Sequence, residues 1–185
     1  MTVHPTPLAG LLVLQPKVFG DARGFFMESF NQRVFDAAVG RPVSFVQDNH
    51  SRSSRGVLRG LHYQLGDAAQ GKLVRVTTGR VWDVAVDMRR ASPTFGRWHG
   101  VELSGENNLQ TWIPIGFAHG FVVLSDTADF LYKTDNYYAP AQEQCVRWDD
   151  PALGIDWKLG ELAGAAVNVS AKDAVGKLFA DSQAF

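Results

Sequence analysis

The chain predicts an all-β sandwich or barrel, and three observations carry that expectation. Short apolar or alternating runs recur along it, broken by Gly, Pro, Asn, Asp and Ser. Two of these runs, inside Leu73–Met88, flank the turn-like Thr77-Thr78-Gly79-Arg80 and read as the clearest hairpin. Helical patterns are scarce before Ala171–Phe179, which argues against a helix-rich fold. At 185 residues, without an internal repeat or linker, the length suits one domain with a real core.

In chain order, Gly10 to Val18 reads as a first strand and Phe19 to Gly24 as a loop. Gly24 to Phe30 is aromatic and strand-like. Asn31 is placed to cap a short helix carrying Val34, Phe35 and Ala38, which Gly40 and Pro42 end. Val43 to Asn49 is strand-like again. Arg97–Leu103 and Leu109–Ile113 form a further pair around Ser104-Gly105-Glu106-Asn107-Asn108. Pro114 to Ala118 interrupts, His119 to Leu124 resumes, and Ser125-Asp126-Thr127 turns the chain into Ala128 to Lys133. From about residue 158 the chain reads as an irregular extension with a short helix, in which Ser170 caps and Asp173 is the capping-box-like acid.

Charge is nearly balanced, with 18 Lys and Arg against 19 Asp and Glu, a net of -1. That leaves no basic field for nucleic acid, so any anion must be held by a few placed cations. A single cysteine, Cys145, cannot form an internal disulfide and suits a reducing, cytoplasmic setting. The apolar run Leu11–Leu14 is too short for a signal-peptide core or a membrane span.

The stretch Ser54 to Gln64 concentrates the chemistry, with Arg55, Arg59, Gly56, Gly60 and His62 set among Val57, Leu58 and Leu61. Side chains alternate along a strand, so if Leu61 faces a core, His62 faces the other side. A lone strand His is more often structural than catalytic; the company of Arg59, Gly60 and Gln64 favours a base beside an anion clamp. Trp112 to His119 reads as a barrel corner fixed by Pro114 and Gly116 that delivers His119 to the next strand. Tyr132 is a possible phenolic proton donor, although register does not follow from turn length alone and the residues do not set it opposite His62. By default Lys72, Arg23, Glu28, Gln47 and Asn49 read equally well as solvated. His62 and His119 are the two histidines at plausible interior positions. With no His-x-His pair and no carboxylate at close ligand spacing, no metal is expected.

Together these segments resemble the dTDP-4-dehydrorhamnose 3,5-epimerase family of the cupin superfamily. The resemblance rests on Gly20-Asp21-Ala22-Arg23-Gly24-Phe25-Phe26, Gln47-Asp48-Asn49-His50-Ser51, Gly56 to Gln64, Gln70-Gly71-Lys72-Leu73-Val74, Gly79 to Asp87, Ile113 to Phe121, Pro140-Ala141-Gln142-Glu143 and the Ser-x-Lys-Asp of Ser170 to Asp173. Lys158 to Val169 matches nothing recognisable. The resemblance implies a cupin-type jelly-roll barrel, a homodimer that lends strands across its interface, and no cofactor or metal. It also implies inversion at C3 and C5 of dTDP-4-dehydro-6-deoxy-D-glucose. By that analogy His62 is the base, Asp173 orients it, Tyr132 returns a proton from the opposite face, and Lys72 stabilises the C4 oxygen. Arg23 and Arg59 would clamp the diphosphate. Glu28, Gln47 and Asn49 would contact nucleotide or sugar, and Phe19, Phe26 or Tyr138 would stack on thymine. His119, Glu143 and Lys172 carry over as substrate contacts. After this reading come, in order, a single-centre epimerase, a non-catalytic sugar-nucleotide-binding cupin, and a metal-dependent cupin oxygenase or isomerase.

Overall fold

A computed structural model describes residues 1–185. Its elements in chain order are β1 (Thr2–Pro5), β2 (Leu12–Gln15), β3 (Val18–Asp21), β4 (Gly24–Met27), α1 (Gln32–Val39), β5 (Gln47–Ser54), β6 (Val57–Gln64) and β7 (Lys72–Thr78). There follow β8 (Arg80–Asp87), β9 (Trp98–Ser104), β10 (Gln110–Ile113), β11 (Phe117–Val123), β12 (Thr127–Thr134), β13 (Glu143–Cys145), β14 (Asn168–Val169) and α2 (Ala171–Ala174). Two sheets face each other. One runs β1-β2-β10-β7-β12-β5 and the other β13-β6-β11-β8-β9, with β14 added in parallel on β6. From β5 to β8 and again from β9 to β12, each strand crosses to the opposite sheet, which is the jelly-roll connection.

This crossing corrects two hairpins expected from sequence. β7 and β8 do not pair with each other: β7 lies between β10 and β12, and β8 between β11 and β9. Likewise β9 pairs with β8 while β10 pairs with β2 and β7. Alternation tells which face of a strand is buried and not which strand lies beside it. The turn at Gly79 is therefore a corner between sheets. Gly79 has φ +76°, and a Cβ there would sit 1.9 Å from the Thr127 carbonyl oxygen, so the corner admits only glycine.

Other boundaries shift for local reasons. Pro16 follows β2, and Phe19 to Asp21, expected as loop, pairs with β4 in a hairpin closed by Asp21 Oδ1 accepting from the Arg23 amide at 2.8 Å. The strand expected from Val43 begins at Gln47, because Val43 packs instead with Phe35, Leu14, Leu73 and Trp112 on the outside of the first sheet. Helix α1 is capped as expected, Asn31 accepting from the Val34 amide and Gly40 closing at φ +76°. The helix expected over Ala171–Phe179 stops at Ala174, since the Lys177 amide and carbonyl bond to Cys145 and Arg147 at the sheet edge.

The core has two main layers. Between the sheets lie Val74, Val76, Val81, Ala85, Phe117, Phe121 and Phe130; outside the second sheet Leu58, Leu61, Val84, Val86 and Val122 pack against Trp157 and Leu162 of the tail. Complete burial of a side chain such as Leu58 is worth about 1.5–3 kcal/mol. No helix is long and apolar enough to cross a membrane.

Candidate active site

A cavity of roughly 580 Å³ opens between the sheets at one end of the barrel, within the range that encloses small ligands. Strand β6 supplies its back wall through an irregularity. His62 pairs with His119, but Phe121, two residues on, pairs with Arg59, three residues back. The extra residue is a bulge at Gly60, and it turns Arg59 and His62 to the same face, where a regular strand would set them apart. Leu58 and Leu61 correspondingly share the outer face, fully buried. Only glycine fits at this crossing: a Cβ on Gly60 would lie 2.5 Å from the Gly120 Cα.

His62 Nε2 and Asp173 Oδ1 are 2.7 Å apart, and Asp173 is buried at 3% exposure. The carboxylate reaches this position because β14 adds to β6 and Ser170 caps α2, accepting from the Asp173 amide at 3.1 Å. Burial alone would raise the Asp173 carboxyl. Hydrogen bonds from His62, the Gly60 amide and Ser170, with the attraction of an imidazolium, outweigh it and hold the group below the ordinary range. The dyad leaves the other ring nitrogen as a candidate base.

Tyr132 enters the same cavity from β12, in the facing sheet, in register with Asn49 of β5 and Val74 of β7. Burial raises its phenol further, against the pull of Arg59, so it is a neutral O–H donor near pH 7. Lys72 donates to the His62 carbonyl at 3.4 Å, and desolvation pushes its ammonium down to about 8 against the attraction of Glu143 and Asp83. A second pair is deeper: His119 Nε2 lies 2.6 Å from Asp83 Oδ1, both buried, with the His119 ring stacked on Phe130. Asn49, Arg59 and Lys172 also line the cavity. Beside it Tyr138 donates to Glu143 at 2.9 Å, Lys172 pairs with Glu143, and Gln47 donates to Asn49 at 2.9 Å while accepting from the Tyr138 amide.

Four residues expected at the site lie elsewhere. Arg23 pairs with Asp21 at the tip of the β3–β4 hairpin, Phe26 is 70% exposed on it, and Glu28 accepts from Asn31. Phe19 is also exposed there. The hairpin pairs only with itself, so within one chain these side chains do not reach the cavity. Conversely, sequence reasoning did not place Asp83, Phe130 or Cys145 at or beside the cavity. A lone carboxylate inside the apolar run Val81 to Val86 was the available sign for Asp83. Ligand spacing along the chain also does not reveal that the fold brings donors of His62, Cys145 and Asp173 within 4.8 Å of one another.

A carboxylate-oriented imidazole on one wall, with a phenol and an ammonium from the facing sheet, can remove a proton from carbon next to a carbonyl and return one from the opposite side. Residues 5–181 match the family model described as dTDP-4-dehydrorhamnose 3,5-epimerase. The chain belongs to that family. It is 62% identical over 175 residues to the dTDP-4-dehydrorhamnose 3,5-epimerase of Pseudomonas aeruginosa, covering 95% of this chain and 94% of that one. Among solved structures, dTDP-6-deoxy-D-glucose-3,5-epimerase from Legionella pneumophila, in complex with dTDP-4-keto-L-rhamnose, superposes with TM-score 0.92 at 53% identity, covering 97% and 93% of the two chains. ChmJ, a 3′-monoepimerase from Streptomyces bikiniensis in complex with dTDP-quinovose, gives TM-score 0.89 at 34% identity, covering 96% and 87%. As a dTDP-4-dehydrorhamnose 3,5-epimerase family member with this jelly roll, the protein is an isomerase.

Proposed function

We propose that the protein epimerises dTDP-4-dehydro-6-deoxy-D-glucose at C3 and C5, giving dTDP-4-dehydro-L-rhamnose, without a redox cofactor. The dyad His62–Asp173 facing Tyr132 across one cavity is the observation that carries this reading. Both carbons flank the C4 ketone, so loss of either proton gives an enolate. His62 takes the proton from carbon, and the C–H electron pair moves to the C4 oxygen, where the Lys72 ammonium stabilises it. Tyr132 then protonates the same carbon from the opposite face, inverting it. The phenolate recovers its proton from solvent and His62 releases one, and a second round inverts the other carbon. Identity of 62% to a 3,5-epimerase, against 34% to a 3′-monoepimerase, favours inversion at both centres.

In this reading Arg59 holds the diphosphate, while Gln47, Asn49, Tyr138, Glu143, Lys172 and His119 position nucleotide and sugar. Residues 1–185 act as one jelly-roll epimerase domain, its tail from about residue 158 completing the site. The working form is a cytoplasmic homodimer, in which the β3–β4 hairpin brings Arg23, Phe26 and Glu28 to the neighbouring subunit's cavity. The exposed Phe19, Phe25 and Phe26 support it, as do the buried Arg75 Nη1 and Gln110 Oε1, which lack hydrogen-bond partners on the outer face of the first sheet. Incubation with the ketosugar in deuterated water, read by proton NMR, tests the reaction. Deuterium at both C3 and C5 with L-configured product is expected, and exchange at one carbon only would assign a single-centre enzyme.

A further inference from the structure

Cys145 has no part in the epimerisation just described, yet it sits against the dyad. On β13 it pairs in register with His62, and directly paired residues of antiparallel strands point to the same face. Its Sγ, a ring nitrogen of His62 and a carboxylate oxygen of Asp173 lie within 4.8 Å of one another. The three donors come from separate elements, β13, β6 and α2, so the fold and not local spacing assembles them. Imidazole, thiolate and carboxylate together match zinc and its heavier, softer congener cadmium, and are a poor set for magnesium or calcium, which prefer all-oxygen shells. Metal bonds of about 2.0–2.3 Å place tetrahedral donors roughly 3.3–3.8 Å apart, so an ion would have to draw the thiol in by about 1 Å and spread the His62–Asp173 contact, now 2.7 Å. A thiolate and a carboxylate balance the charge of a divalent ion, and water from the cavity can fill the fourth position.

We propose that His62, Cys145 and Asp173 form an inhibitory site for a thiophilic divalent cation, Zn²⁺ or Cd²⁺. Binding forms metal–sulfur, metal–nitrogen and metal–oxygen bonds, and the thiol proton leaves to solvent; nothing is oxidised or reduced. The ion silences the base whichever ring nitrogen it takes. At the free nitrogen it occupies the lone pair that would accept the carbon-bound proton. At the nitrogen now hydrogen-bonded to Asp173 it displaces that hydrogen to the other nitrogen, with the same result. The inference rests on His62 being the base, so binding and turnover must be read separately.

The test titrates the purified protein with Co²⁺ as a spectroscopic probe and with Cd²⁺ as an inhibitor of epimerisation. Wild type should show a thiolate-to-cobalt charge-transfer band at one equivalent, and Cd²⁺ inhibition that EDTA reverses. Cys145→Ser should turn over as wild type does, lack the band, and tolerate more Cd²⁺ by a factor above the roughly 10–100-fold that loss of an outer-shell group costs. His62→Ala, read by spectrum because it is not expected to turn over, should weaken the band. No band in wild type, a full band in His62→Ala, or equal Cd²⁺ sensitivity in Cys145→Ser each overturns the site. A band without inhibition overturns the inhibitory role. The spectrum does not depend on catalysis, so failure here leaves the assignment of His62 as base to the deuterium experiment.

Discussion

His62 and Asp173 stand 111 residues apart in the chain, and their side chains meet at 2.7 Å. The contact fixes which ring nitrogen carries hydrogen and stabilises the imidazolium formed when carbon is deprotonated. Asp173→Asn keeps the shape and removes both effects. We expect kcat to fall by roughly 10²–10⁴-fold with KM within a few-fold, measured in steady state; an unchanged kcat would reduce Asp173 to packing. The folded carboxyl is held below its ordinary value. It therefore contributes stability that is present above the unfolded carboxyl pKa and lost as pH falls through the folded one. The variant should lose that portion of the acid dependence of thermal unfolding.

Tyr132 and His62 occupy facing walls, so their variants should fail differently. His62→Ala should abolish deuterium incorporation at C3 and C5. Tyr132→Phe should keep some incorporation, since the base still removes protons, but lose net inversion. Full turnover by Tyr132→Phe would falsify the phenol as donor.

Lys72 combines catalytic need with energetic cost. Its ammonium, pushed down to about 8 by burial, stabilises an enolate only while protonated, so the alkaline limb of kcat should descend through about pH 8. The folded pKa lies below the unfolded one, hence the charged lysine weakens the fold at neutral pH, and the penalty disappears as pH rises from about 8 toward the unfolded value. Lys72→Met should lose the alkaline limb with most of its activity. It should also unfold at higher temperature near pH 7, a gain on the order of 2 kcal/mol, by calorimetry.

At Gly60 the strand crosses Gly120 with no room for a side chain, at φ +130°. Gly60→Ala should cost about 3 kcal/mol or more, lowering Tm by roughly 6–12 °C in a chain of this size. A Tm equal to that of wild type would mean that the bulge is not tightly constrained.

If the hairpin serves a neighbouring subunit, two dead variants should rescue each other. Arg23→Ala supplies an intact His62, and His62→Ala supplies an intact arm. Refolded together in equal amounts they should recover roughly a quarter of wild-type sites, from one working site in each mixed dimer. Additive, near-zero activity would place Arg23 in its own chain's site, and full activity of Arg23→Ala alone would place it in none.

The strand content was legible because short apolar runs such as Val81 to Val86 and Ala128 to Lys133, rich in β-branched and aromatic residues and bounded by turn residues, mark buried strands. Partners were not legible. Thr77 to Arg80 looks like a hairpin turn, and its corner role follows from the Thr127 backbone packed over Gly79, a contact between distant segments. The same limit governed the site. His62 and Lys72 stand out locally, but the shared face of Arg59 and His62 depends on the Gly60 bulge. The wall occupied by Tyr132 depends on sheet order, and Cys145 beside the dyad on a strand of three residues. Asp173 in its turn depends on the two residues of β14, in a stretch whose sequence resembles nothing recognisable.

Because successive strands from β5 to β8 and from β9 to β12 belong to opposite sheets, neither wall of the barrel can be completed from one contiguous piece of chain. Each sheet waits on segments that the other sheet interrupts, which places this protein among slow folders rich in distant pairings. The same interleaving means that the base on β6 and the phenol on β12 acquire their facing positions only when both sheets have formed. A partly collapsed chain would hold all the reactive groups and catalyse nothing, so the onset of epimerase activity during refolding should follow completion of the whole barrel and the docking of the neighbouring subunit's arm.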